Sequence, residues 1–528
     1  MVRRSLILAA ALAVLNGALT FVNVWPTPVI RWDGRLSVEL AAALLALTLA
    51  REIGWTPSGR TLRITSVVGV LLVLGRYADV TVQSLFGREI NLYWDSRHFM
   101  AVGEMLTTVS SSMLLIAITA GLLAVPVALY MLLGWAITTV SSAAAERHIR
   151  RALGAMAAIG LALAAIQMPR EEPFTEIPQF ASAVSPTYVR QARTLFREAS
   201  GIGRRPIPPA PAVSSSFSRV QGADVFAIFL ESYGATSWDR AEYARALRPV
   251  RERLDEAIRQ TGRGVVSAYA ESPTFGGSSW LAHVSFLAGT EVRDGDTNLR
   301  LMSEQGRATL LTAFKRNGYR TVAVMPGLRR SWPEGQFYGF DDIFGEQELA
   351  YHGPSFGWWD VTDQYALAKM DALAVASQER QPVFVFFPTV STHAPFLPAP
   401  PYQPDWSRML DSQPYEEQVL LDAWGDVPDW LNLGPGYVKA MTYSLDALGG
   451  YLRWRGDRDF VVVVIGDHQP PAVVTGDGAS WEVPVHVIAS RQAILSQLQA
   501  HGFTPGLTPK HPAIARIDEL MPLLLSAF

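Results

Sequence analysis

The sequence of 528 residues contains no cysteine, and only 18% of its residues are charged. The absence of cysteine excludes disulfide bonds, thiolate metal sites and a cysteine nucleophile. The net charge is −3, so the chain lacks the strong positive balance that is typical of a nucleic-acid-binding domain. Large-scale disorder is not expected either, because 15 tryptophans, 16 tyrosines and 23 phenylalanines are available for packing.

Hydrophobic residues make up 49% of the chain, and their longest runs lie before residue 170. A membrane-spanning helix needs about 20 predominantly apolar residues. We predict five such helices, at Ser5–Trp25, Leu36–Ala50, Ile64–Val82, Met105–Val140 and Ala152–Met168. The second and fifth are short, and the fourth is long enough to extend past the membrane. The first is not expected to be a signal peptide, because no small-residue cleavage site follows it and further spans come after.

The arginines indicate the orientation of these helices, since cytoplasmic loops carry an excess of positive residues. With the N-terminus inside, the cytoplasmic side holds Arg3, Arg4, Arg51, Arg60, Arg63, Arg147, Arg150 and Arg151, and the opposite side holds Arg31, Arg35, Arg88 and Arg97. An odd number of spans then places the rest of the chain outside the cytoplasm. We therefore predict a multi-pass protein of the cytoplasmic (inner) membrane with a periplasmic C-terminal domain.

Composition divides the chain into a transmembrane domain at 1–168, a juxtamembrane linker at 169–222 and an extracytoplasmic domain at 223–528. In the linker, Ser185–Gly201 predicts an amphipathic helix with arginines opposite an apolar side. Contact with the membrane surface and a plain spacer helix are both consistent with this pattern. The aromatic-rich segment Phe86–Phe99 on the outer side fits either an interfacial aromatic belt or lipid-headgroup contact.

Beyond Gly222, short apolar runs alternate with helical stretches. The predicted strands are Val225–Leu230, Gly264–Ala268, Thr321–Met325, Val383–Phe387 and Phe460–Ile465. The predicted helices include Ala241–Gln260, Trp280–Leu287, Glu304–Arg316 and Thr362–Ser377. Apolar strands separated by helices predict a mostly parallel sheet that is covered by helices on both faces. In such α/β folds, ligands bind at the carboxyl ends of the strands.

Polar residues that suit metal chemistry follow several of these strands. Glu231 follows the first strand, the pair Asp467 and His468 follows the last, and His393 follows the strand that starts at Val383. Together with a hydroxyl at a helix N-terminus, they are what metal-assisted hydrolysis or phosphoryl transfer requires. Oxygen and nitrogen ligands without sulfur suit Mn²⁺, Mg²⁺ or Zn²⁺. The structural alternatives are a turn cap for the glutamate, a salt bridge for the Asp-His pair and a purely structural Thr-His-Ala-Pro turn for His393.

Four motifs occur in a fixed order after the predicted spans: Phe-Leu-Glu-Ser, Gly-Gly-Ser-Ser-Trp, Thr-His-Ala-Pro-Phe and Gly-Asp-His. With five spans and a linker, they resemble the lipoteichoic acid synthase and phosphoglycerol/phosphoethanolamine transferase group of the alkaline phosphatase/sulfatase superfamily. The resemblance covers nearly the whole chain in architecture and Ala223–Ala489 in motifs. It implies an N-terminal all-α domain of five transmembrane helices and a C-terminal α/β sulfatase-like domain.

The resemblance also implies roles for individual residues. Glu231, Asp467 and His468 match the ligands of one divalent metal, with Mn²⁺ favoured over Zn²⁺ and Mg²⁺. Ser279 matches the nucleophile, which would also bind the metal as an alkoxide. His393 matches the histidine that contacts the transferred phosphate or protonates the leaving oxygen.

The choice of serine rests on the superfamily's pattern, in which counting back from the end of the following helix favours Ser279 over Ser278. In the sulfatase subgroup, proline and arginine stand two and four residues after the reactive residue. Here those positions are Leu281 and His283. Sulfatase activity is therefore not expected.

The resemblance extends to the substrate pocket. Trp332 falls near a tryptophan that lines the headgroup pocket of lipoteichoic acid synthases. The arginine that follows it there is missing here, and Arg329 or Arg330 would supply the lost charge. His283 and His486 are further candidates for substrate binding, with a buried core histidine as the alternative for each.

The resulting hypothesis is a transferase that moves a phosphoglycerol headgroup from a membrane phospholipid, through a phosphoserine, to a glycan or other hydroxyl acceptor. A phosphoethanolamine transferase is one alternative, but those enzymes commonly carry periplasmic disulfides. A phosphodiesterase or phosphatase of the same superfamily would share every ligand. A catalytically dead membrane scaffold is the remaining alternative, and no nucleic-acid partner is expected.

Overall fold

The computed structural model describes residues 2–24, 27–86, 89–96, 99–109, 111–167, 179–201, 206–212, 215–304, 306–329, 332, 335–377 and 379–528. Several positions used above lie outside these ranges, namely Trp25, Arg88, Arg97, Met168, Arg330 and residues 169–178, 202–205, 213 and 214 of the linker. The chain divides into two compact units, Met1–Arg204 and Arg205–Phe528.

The first unit is helical. Its helices are α1 (Val2–Thr20), α2 (Val38–Glu52), α3 (Gly59–Phe86), α4 (Leu92–Asp95), α5 (Phe99–Val109), α6 (Ser112–Ala143), α7 (Arg147–Gln167) and α8 (Ser185–Ser200). A short antiparallel ribbon joins β1 (Val22–Asn23) to β2 (Ile30–Arg31). Buried Ala11, Leu44, Ala136 and Leu153 bring α1, α2, α6 and α7 together in one apolar core.

Within the described ranges, four helices are long and apolar enough to cross a membrane: α1, residues 59–85 of α3, α6 and α7. The predicted second span corresponds to α2, whose 15 residues are fewer than the about 20 that a span needs. The count of five spans and the periplasmic orientation derived from it therefore stay predictions.

The fourth predicted span, Met105–Val140, is not one helix. Its first residues belong to α5, and α6 begins after Ser111, whose side chain accepts a hydrogen bond from the backbone N–H of Leu114. This N-cap satisfies an amide that would otherwise be unpaired at the helix start. The sequence from Thr107 to Ser112 is rich in threonine and serine, and the prediction of a single span overlooked this signal.

The helix predicted at Ser185–Gly201 is α8. It starts with Pro186 in its first turn and ends at Gly201, which has a left-handed φ of 70°. Both features are common at helix termini. Tyr188 on this helix donates a hydrogen bond to the Leu71 carbonyl of α3. The linker helix is thus packed against a helix of the first unit.

The second unit is built on a nine-stranded sheet in the order β10-β4-β9-β8-β3-β7-β5-β6, with β11 paired to β4. The strands are β3 (Asp224–Leu230), β4 (Gly264–Glu271), β5 (Arg320–Val324), β6 (Asp342–Phe344), β7 (Val383–Pro388), β8 (Phe460–Gly466), β9 (Glu482–Ala489), β10 (Thr504–Pro505) and β11 (Ala515–Arg516). The α-helices are α9 (Thr236–Asp239), α10 (Ala241–Ala246), α11 (Arg248–Gln260), α12 (Trp280–Ala288), α13 (Gly295–Ser303), α14 (Leu310–Arg316), α15 (Gly335–Tyr338), α16 (Glu346–Leu349), α17 (Asp363–Met370), α18 (Glu417–Trp424), α19 (Gly434–Trp454), α20 (Ala472–Thr475), α21 (Gln492–Ala500) and α22 (Leu520–Ala527).

Strand direction decides which loops can form a site. The central strand β3 pairs in parallel with β8 on one side and β7 on the other. Strand β9 is antiparallel to both β8 and β4, so β4 runs in the same direction as β8. The carboxyl ends of β4, β8, β3 and β7 therefore lie along one edge of the sheet.

Both faces of this sheet are buried. Phe226, Ile228 and Leu230 of β3 belong to the apolar core on one face, and the alternate residues Val225, Ala227 and Phe229 belong to the core on the other. Successive side chains of a strand point to opposite faces, so a strand covered on both sides becomes continuously apolar. The predicted mostly parallel sheet with helices on both faces is confirmed, and the antiparallel strands β9 and β10 make it a mixed sheet.

Several element boundaries differ from the prediction for local reasons. The predicted helix Ala241–Gln260 is two helices, α10 and α11, because Pro249 starts a new first turn. The helix predicted from Glu304 starts only after Thr309, whose side chain caps α14. The predicted helix Thr362–Ser377 is α17 followed by a π-helical turn at Asp371–Val375.

Candidate metal centre and active site

Three acidic or imidazole side chains meet at the carboxyl ends of the adjacent strands β3 and β8. Glu231 is the first residue after β3, and Asp467 and His468 are the first two after β8. The parallel register places Leu230 opposite Gly466, so the residues that follow lie side by side. One ligand atom from each of the three side chains lies within 4.8 Å of the other two. All three are at most 6% exposed.

Gly466 makes this close approach possible. A Cβ atom at this position would collide with the carbonyl oxygen of Tyr233 in the loop after β3. Glycine removes the collision, and the Gly-Asp-His motif therefore has a steric reason as well as a chemical one.

Hydrogen bonds orient His468 and Asp467. Nδ1 of His468 lies 2.7 Å from the Gln469 carbonyl oxygen, so it carries the proton and donates it. The opposite nitrogen, Nε2, lies 3.3 Å from Oε1 of Glu231, and it has no hydrogen-bond partner among the described residues. A backbone carbonyl that fixes Nδ1–H and leaves Nε2 open is typical of metal-ligating histidines. Oδ1 of Asp467 accepts the backbone N–H groups of Ser232 at 2.8 Å and His468 at 2.6 Å.

The electrostatics of these three groups also suit a cation. Burial raises the pKa of Asp467 well above its ordinary value, and the charge of Glu231 raises it further. Burial works in the same direction on Glu231, but the positive His468 beside it holds the Glu231 pKa well below its ordinary value. His468 in turn has its pKa raised to about 9, because the two carboxyl groups outweigh the effect of burial. Without a cation, protons on His468 and Asp467 reduce the negative charge of the site. A bound divalent cation would take over this role.

The orphaned Nε2, the two carboxyl groups and the absence of sulfur together fit a divalent cation that prefers oxygen and nitrogen ligands. Glu231, Asp467 and His468 are therefore the residues that could hold one. No steric or charge feature of the described residues opposes this assignment.

The loop between β4 and α12 is fastened to the same ligand loop. Ser272 Oγ donates to the Asp467 carbonyl oxygen at 2.5 Å, and the Gly276 N–H donates to the Gln469 carbonyl oxygen at 3.1 Å. Ser279 ends this loop as the half-buried N-cap of α12, and its hydroxyl makes no capping hydrogen bond. Among the residues that the structure describes, the hydroxyl of the predicted nucleophile thus has no capping hydrogen bond and lies at a helix N-terminus, where the helix dipole favours negative charge.

The neighbouring Ser278 has a different backbone conformation. Its φ of 61° is left-handed, whereas Ser279 has helical φ and ψ values of −49° and −31°. Ser278 therefore forms the turn into α12, and Ser279 is the residue placed at the start of the helix. This arrangement is consistent with the serine favoured above.

The loop after β7 reaches the same edge of the sheet and carries His393. Thr389 Oγ1 accepts the backbone N–H of Glu231 at 3.1 Å, and the Thr392 hydroxyl donates to the Glu231 carbonyl at 2.6 Å. Nδ1 of His393 donates to the Ala394 carbonyl at 2.7 Å, which leaves Nε2 as the nitrogen available for substrate. The structure therefore brings the His393 loop against the loop of the first candidate ligand.

Asp363 supports this loop and was missed by the sequence analysis. Its buried carboxylate accepts the backbone N–H groups of Val390 at 2.8 Å and Ser391 at 3.0 Å. Burial raises the pKa of Asp363 to about 6. In the sequence, Thr362-Asp363 has the pattern of an ordinary helix N-terminus, and nothing in it indicates that the carboxylate reaches another loop.

Two adjacent tryptophans that the sequence analysis did not select surround His393. The ring centroids of Trp358 and Trp359 lie 5.4 and 5.9 Å from that of His393, in edge-on arrangements. Both line a pocket that His393 and Phe396 also line. The available signal was the unusual Gly-Trp-Trp-Asp sequence in a loop, where large aromatic residues need a packing or binding reason.

The described residues predicted for the headgroup pocket have well-defined neighbours, and their role in substrate binding stays a prediction. Trp332 packs with Tyr338 and Phe340 at centroid distances of 5.5 and 6.3 Å, next to the apolar core. Arg329 donates to the Trp358 carbonyl at 2.5 Å and lies with its guanidinium 5.4 Å from the Trp359 ring. Arg329 thus supports the tryptophan pair. Arg330 lies outside the described residues.

Of the two remaining histidines predicted for the site, His283 is half-buried and His486 is buried. His283 lies one turn after Ser279 on α12 and packs against Phe229 and Phe386, and burial lowers its pKa to about 3. Both ring nitrogens of His486 are engaged, by Ser267 at 2.7 Å and Tyr233 at 3.0 Å. His486 therefore has no ring nitrogen left for a ligand, and the geometry fits the core-histidine alternative.

Comparison with known proteins agrees with this architecture. The sulfatase family model matches residues 296–487, a range that includes His393, Asp467 and His468. The match lies within the second unit, which is therefore sulfatase-like over those residues. No curated protein sequence matches the chain.

Several solved structures are similar. The lipoteichoic acid synthase LtaP from Listeria monocytogenes is 17% identical over 53% of this chain and 68% of its own, with a TM-score of 0.38. The lipooligosaccharide phosphoethanolamine transferase EptA from Neisseria meningitidis is 12% identical over 98% of this chain and 95% of its own, with a TM-score of 0.44. The phosphoglycerol transferase GacH from Streptococcus pyogenes, solved with sn-glycerol-1-phosphate, is 12% identical over 63% of this chain and 78% of its own, with a TM-score of 0.34.

Proposed function

We propose that this chain is a membrane-anchored, metal-dependent phosphotransferase that moves the phosphoglycerol headgroup of a phospholipid to a hydroxyl group of an acceptor such as a glycan. The observation that supports this proposal is the meeting of Glu231, Asp467 and His468 at one end of the sheet, beside a loop that ends in Ser279. The sulfatase-like domain supports phosphoryl transfer as the class of reaction, because sulfatase chemistry also acts on a tetrahedral oxyanion.

Glu231, Asp467 and His468 would hold one divalent cation, for which we propose Mn²⁺, with Zn²⁺ and Mg²⁺ as alternatives. When bound, such a cation acts as a Lewis acid, lowering the pKa of a nearby hydroxyl group and offsetting charge on phosphate.

In the first step, Ser279 Oγ attacks the phosphorus atom of the lipid phosphodiester. A bond forms between serine oxygen and phosphorus, and the bond from phosphorus to the diacylglycerol oxygen breaks. His393 accepts the proton of the serine hydroxyl and delivers it to that leaving oxygen, so diacylglycerol leaves as a neutral alcohol. The backbone N–H groups in the first turn of α12 stabilise the charge on the phosphate oxygens.

In the second step, the acceptor hydroxyl attacks the same phosphorus atom. The bond between phosphorus and Ser279 breaks, and His393 transfers the acceptor's proton to the serine oxygen. The enzyme is regenerated, and the headgroup has moved from lipid to acceptor. Two successive transfers through one nucleophile predict ping-pong kinetics.

The substitution Ser279→Ala tests the covalent step. We expect release of labelled diacylglycerol from phosphatidylglycerol by the full chain to fall at least about a thousandfold, because the nucleophile is gone. Cation binding should be retained, since the three proposed side-chain ligands are intact. Mass spectrometry of the wild-type peptide that contains Ser279 should show the added phosphoglycerol group.

The matched control is Ser278→Gly, which removes the neighbouring hydroxyl at a position where a left-handed φ suits glycine. This variant should keep most of the activity. Full diacylglycerol release by Ser279→Ala would refute the covalent mechanism. A different outcome would identify a hydrolase. In that case Ser279→Ala would lose diacylglycerol release, and the wild type would release diacylglycerol at the same rate with and without an acceptor.

A further inference from the structure

Polar contacts within the first unit fix the inner side of the linker helix α8. Oε1 of Glu39, in the first turn of α2, accepts the backbone N–H groups of Val184 at 2.5 Å and Ser185 at 2.7 Å. One and a half turns further on, the Gln191 side chain donates to the Ile90 carbonyl at 2.7 Å. The helix is therefore held at its start and in its middle, and the direction of its outer face is fixed.

The start of α8 lies at one end of the apolar helices. Arg76 of α3 donates to the carbonyl of Phe21, the residue after α1, at 3.0 Å. The same guanidinium donates to the carbonyl of Ser182, three residues before α8, at 3.1 Å. Both α1 and α3 are long and apolar enough to cross a membrane. Because a bilayer boundary lies where spanning helices end, α8 starts at the level of that boundary.

The outer face of α8 combines apolar and basic side chains. Its members are Val189, Arg193, Phe196 and Arg197, whose helical spacing places them on one side. Phe196 is 60% exposed and Val189 is 49% exposed. Arg193 and Arg197 are also exposed, and neither has an ion pair or a side-chain hydrogen bond among the described residues. Both arginines line an open cleft of about 630 Å³, so a ligand can reach them.

We propose that this outer face of α8 is an interfacial binding surface for anionic phospholipids. Val189 and Phe196 lie among the acyl chains, and Arg193 and Arg197 bind phosphate groups. A helix that carries aromatic and aliphatic residues beside arginines is typical of those that lie in the bilayer interface. A guanidinium group stays charged and donates two parallel hydrogen bonds to phosphate, which makes arginine well suited to this role.

Charge and position together favour a bilayer as the occupant of this face. The two unpaired arginines attract a surface of net negative charge more strongly than a zwitterionic one. An acidic protein would satisfy the arginines as well, but the helix starts at the end of the apolar helices, where lipid headgroups lie. The surface goes beyond the proposed function and does not depend on it, because it assigns a lipid contact outside the candidate active site.

The absence of cysteine allows a spin label to be attached at a single chosen position. Ala192→Cys places the label on α8, within one turn of Val189 and Phe196, and the matched control Ala246→Cys places it at an exposed alanine of α10. The full chain is reconstituted in nanodiscs of phosphatidylcholine, with or without phosphatidylglycerol. Power-saturation EPR then compares contact of the label with oxygen, which enters the bilayer, and with a nickel chelate, which stays in water.

With phosphatidylglycerol present, the label on Ala192→Cys should contact oxygen more than nickel, and the label on Ala246→Cys should show the reverse. Adding Arg193→Gln and Arg197→Gln to the Ala192→Cys chain should lower the oxygen-to-nickel ratio at least about fivefold, the effect on partitioning of one arginine near an anionic surface. Nanodiscs without phosphatidylglycerol should also lower it. The control pair Arg245→Gln and Arg248→Gln removes the same two charges from exposed positions and should leave the ratio unchanged.

A label on Ala192→Cys that contacts nickel as freely as the Ala246→Cys label would overturn the proposal. Protection from both reagents would also overturn it, because it would indicate contact with protein. A bilayer-like ratio that persists without the two arginines, in a chain with the wild-type melting temperature, would remove anionic lipid as the ligand. Because no arm needs turnover, these outcomes are independent of the Ser279→Ala test.

Discussion

At the scale of single residues, the candidate metal centre places two carboxyl groups where isolated charge is costly. Glu231 and Asp467 are buried at adjacent strand ends, and Nε2 of His468 faces them without a hydrogen-bond partner among the described residues. Two carboxylates in one buried site raise each other's free energy unless a positive charge lies between them. Removing one of them should therefore act mainly on cation binding.

Glu231→Gln tests this expectation. Addition of Mn²⁺ or Zn²⁺ should raise the melting temperature of the wild type, because a ligand at about 100 times its Kd stabilises the folded state by about 2.7 kcal/mol. The variant should show little or no such shift, since an amide oxygen is a weaker and uncharged ligand. The control Glu252→Gln changes an exposed glutamate on α11 and should behave like the wild type. An equal shift in Glu231→Gln would remove this residue from the ligand set.

The positions of the candidate ligands could be predicted because each directly follows an apolar strand. A strand ends at the sheet edge, so its first polar successor also lies there, whatever the rest of the fold. Trp358 and Trp359 lie far from any strand end, in the irregular stretch between α16 and α17. Their contact with His393 depends on the path of that loop, and sequence periodicity carries no information about it.

At the scale of elements, His511 stabilises the stretch of chain that supplies the strands at one edge of the sheet. His511 contacts Glu482 through Nδ1 and Asp239 through Nε2, and its ring stacks on Tyr269 at 4.2 Å. The same stretch of chain supplies β10 and β11, which both pair with β4. This histidine therefore joins the C-terminal strands to the loops around β4 and β9.

Stability should depend on pH through this residue. Partial burial lowers the pKa of His511, but its hydrogen bonds to Asp239 and Glu482 outweigh burial and raise the pKa above its ordinary value. A raised pKa in the folded state adds stability that is complete below the unfolded pKa of about 6.5 and is lost as pH rises through the folded pKa. The side chain is half-exposed, so the loss should be at most about 1 kcal/mol.

The measurement is the difference in unfolding free energy between wild type and His511→Gln from about pH 6 to about pH 9, where the histidine deprotonates. The wild-type advantage should shrink as pH rises. His352→Gln, at an exposed histidine, should give a difference that does not vary in this way. A wild-type advantage that grows with pH would show that the neutral imidazole is the stabilising form.

Strands could be predicted from the sequence where the local run of apolar residues was continuous. Strands β3, β4, β7 and β8, which carry the candidate site, were found because both faces are covered and the apolar run is continuous. Strand β9 was missed because Glu482, Pro484 and His486 interrupt its apolar run. It forms through antiparallel pairing with β4 and β8 on both sides, and that tertiary pairing overrides the weak local signal.

At the scale of the whole molecule, each unit has a core of its own. The two apolar cores of the second unit contain residues from Phe217 to Phe528, and the cores of the first unit lie between Ala11 and Ala157. The Pro208 carbonyl accepts a hydrogen bond from Arg307, so the start of the second unit is bonded to the segment between α13 and α14 of the same unit. Residues 206–528 are therefore expected to fold when expressed alone, with the three proposed metal ligands present.

The isolated second unit should then separate chemistry from access to the donor. On a water-soluble short-chain phosphatidylglycerol, its rate should match that of the full chain, because the proposed nucleophile and ligands all lie after residue 205. On phosphatidylglycerol in vesicles, its rate should be at least about a hundredfold lower, since the apolar helices that would confine the enzyme to the bilayer are gone and the effective concentration of the donor falls accordingly. The melting temperature and metal content of the isolated unit should be the same in the presence of either donor. That result would exclude damage to the unit as the cause of the lower rate. Equal rates on vesicles would mean that the apolar helices contribute nothing to donor capture, and their role would have to be sought in the acceptor or in assembly.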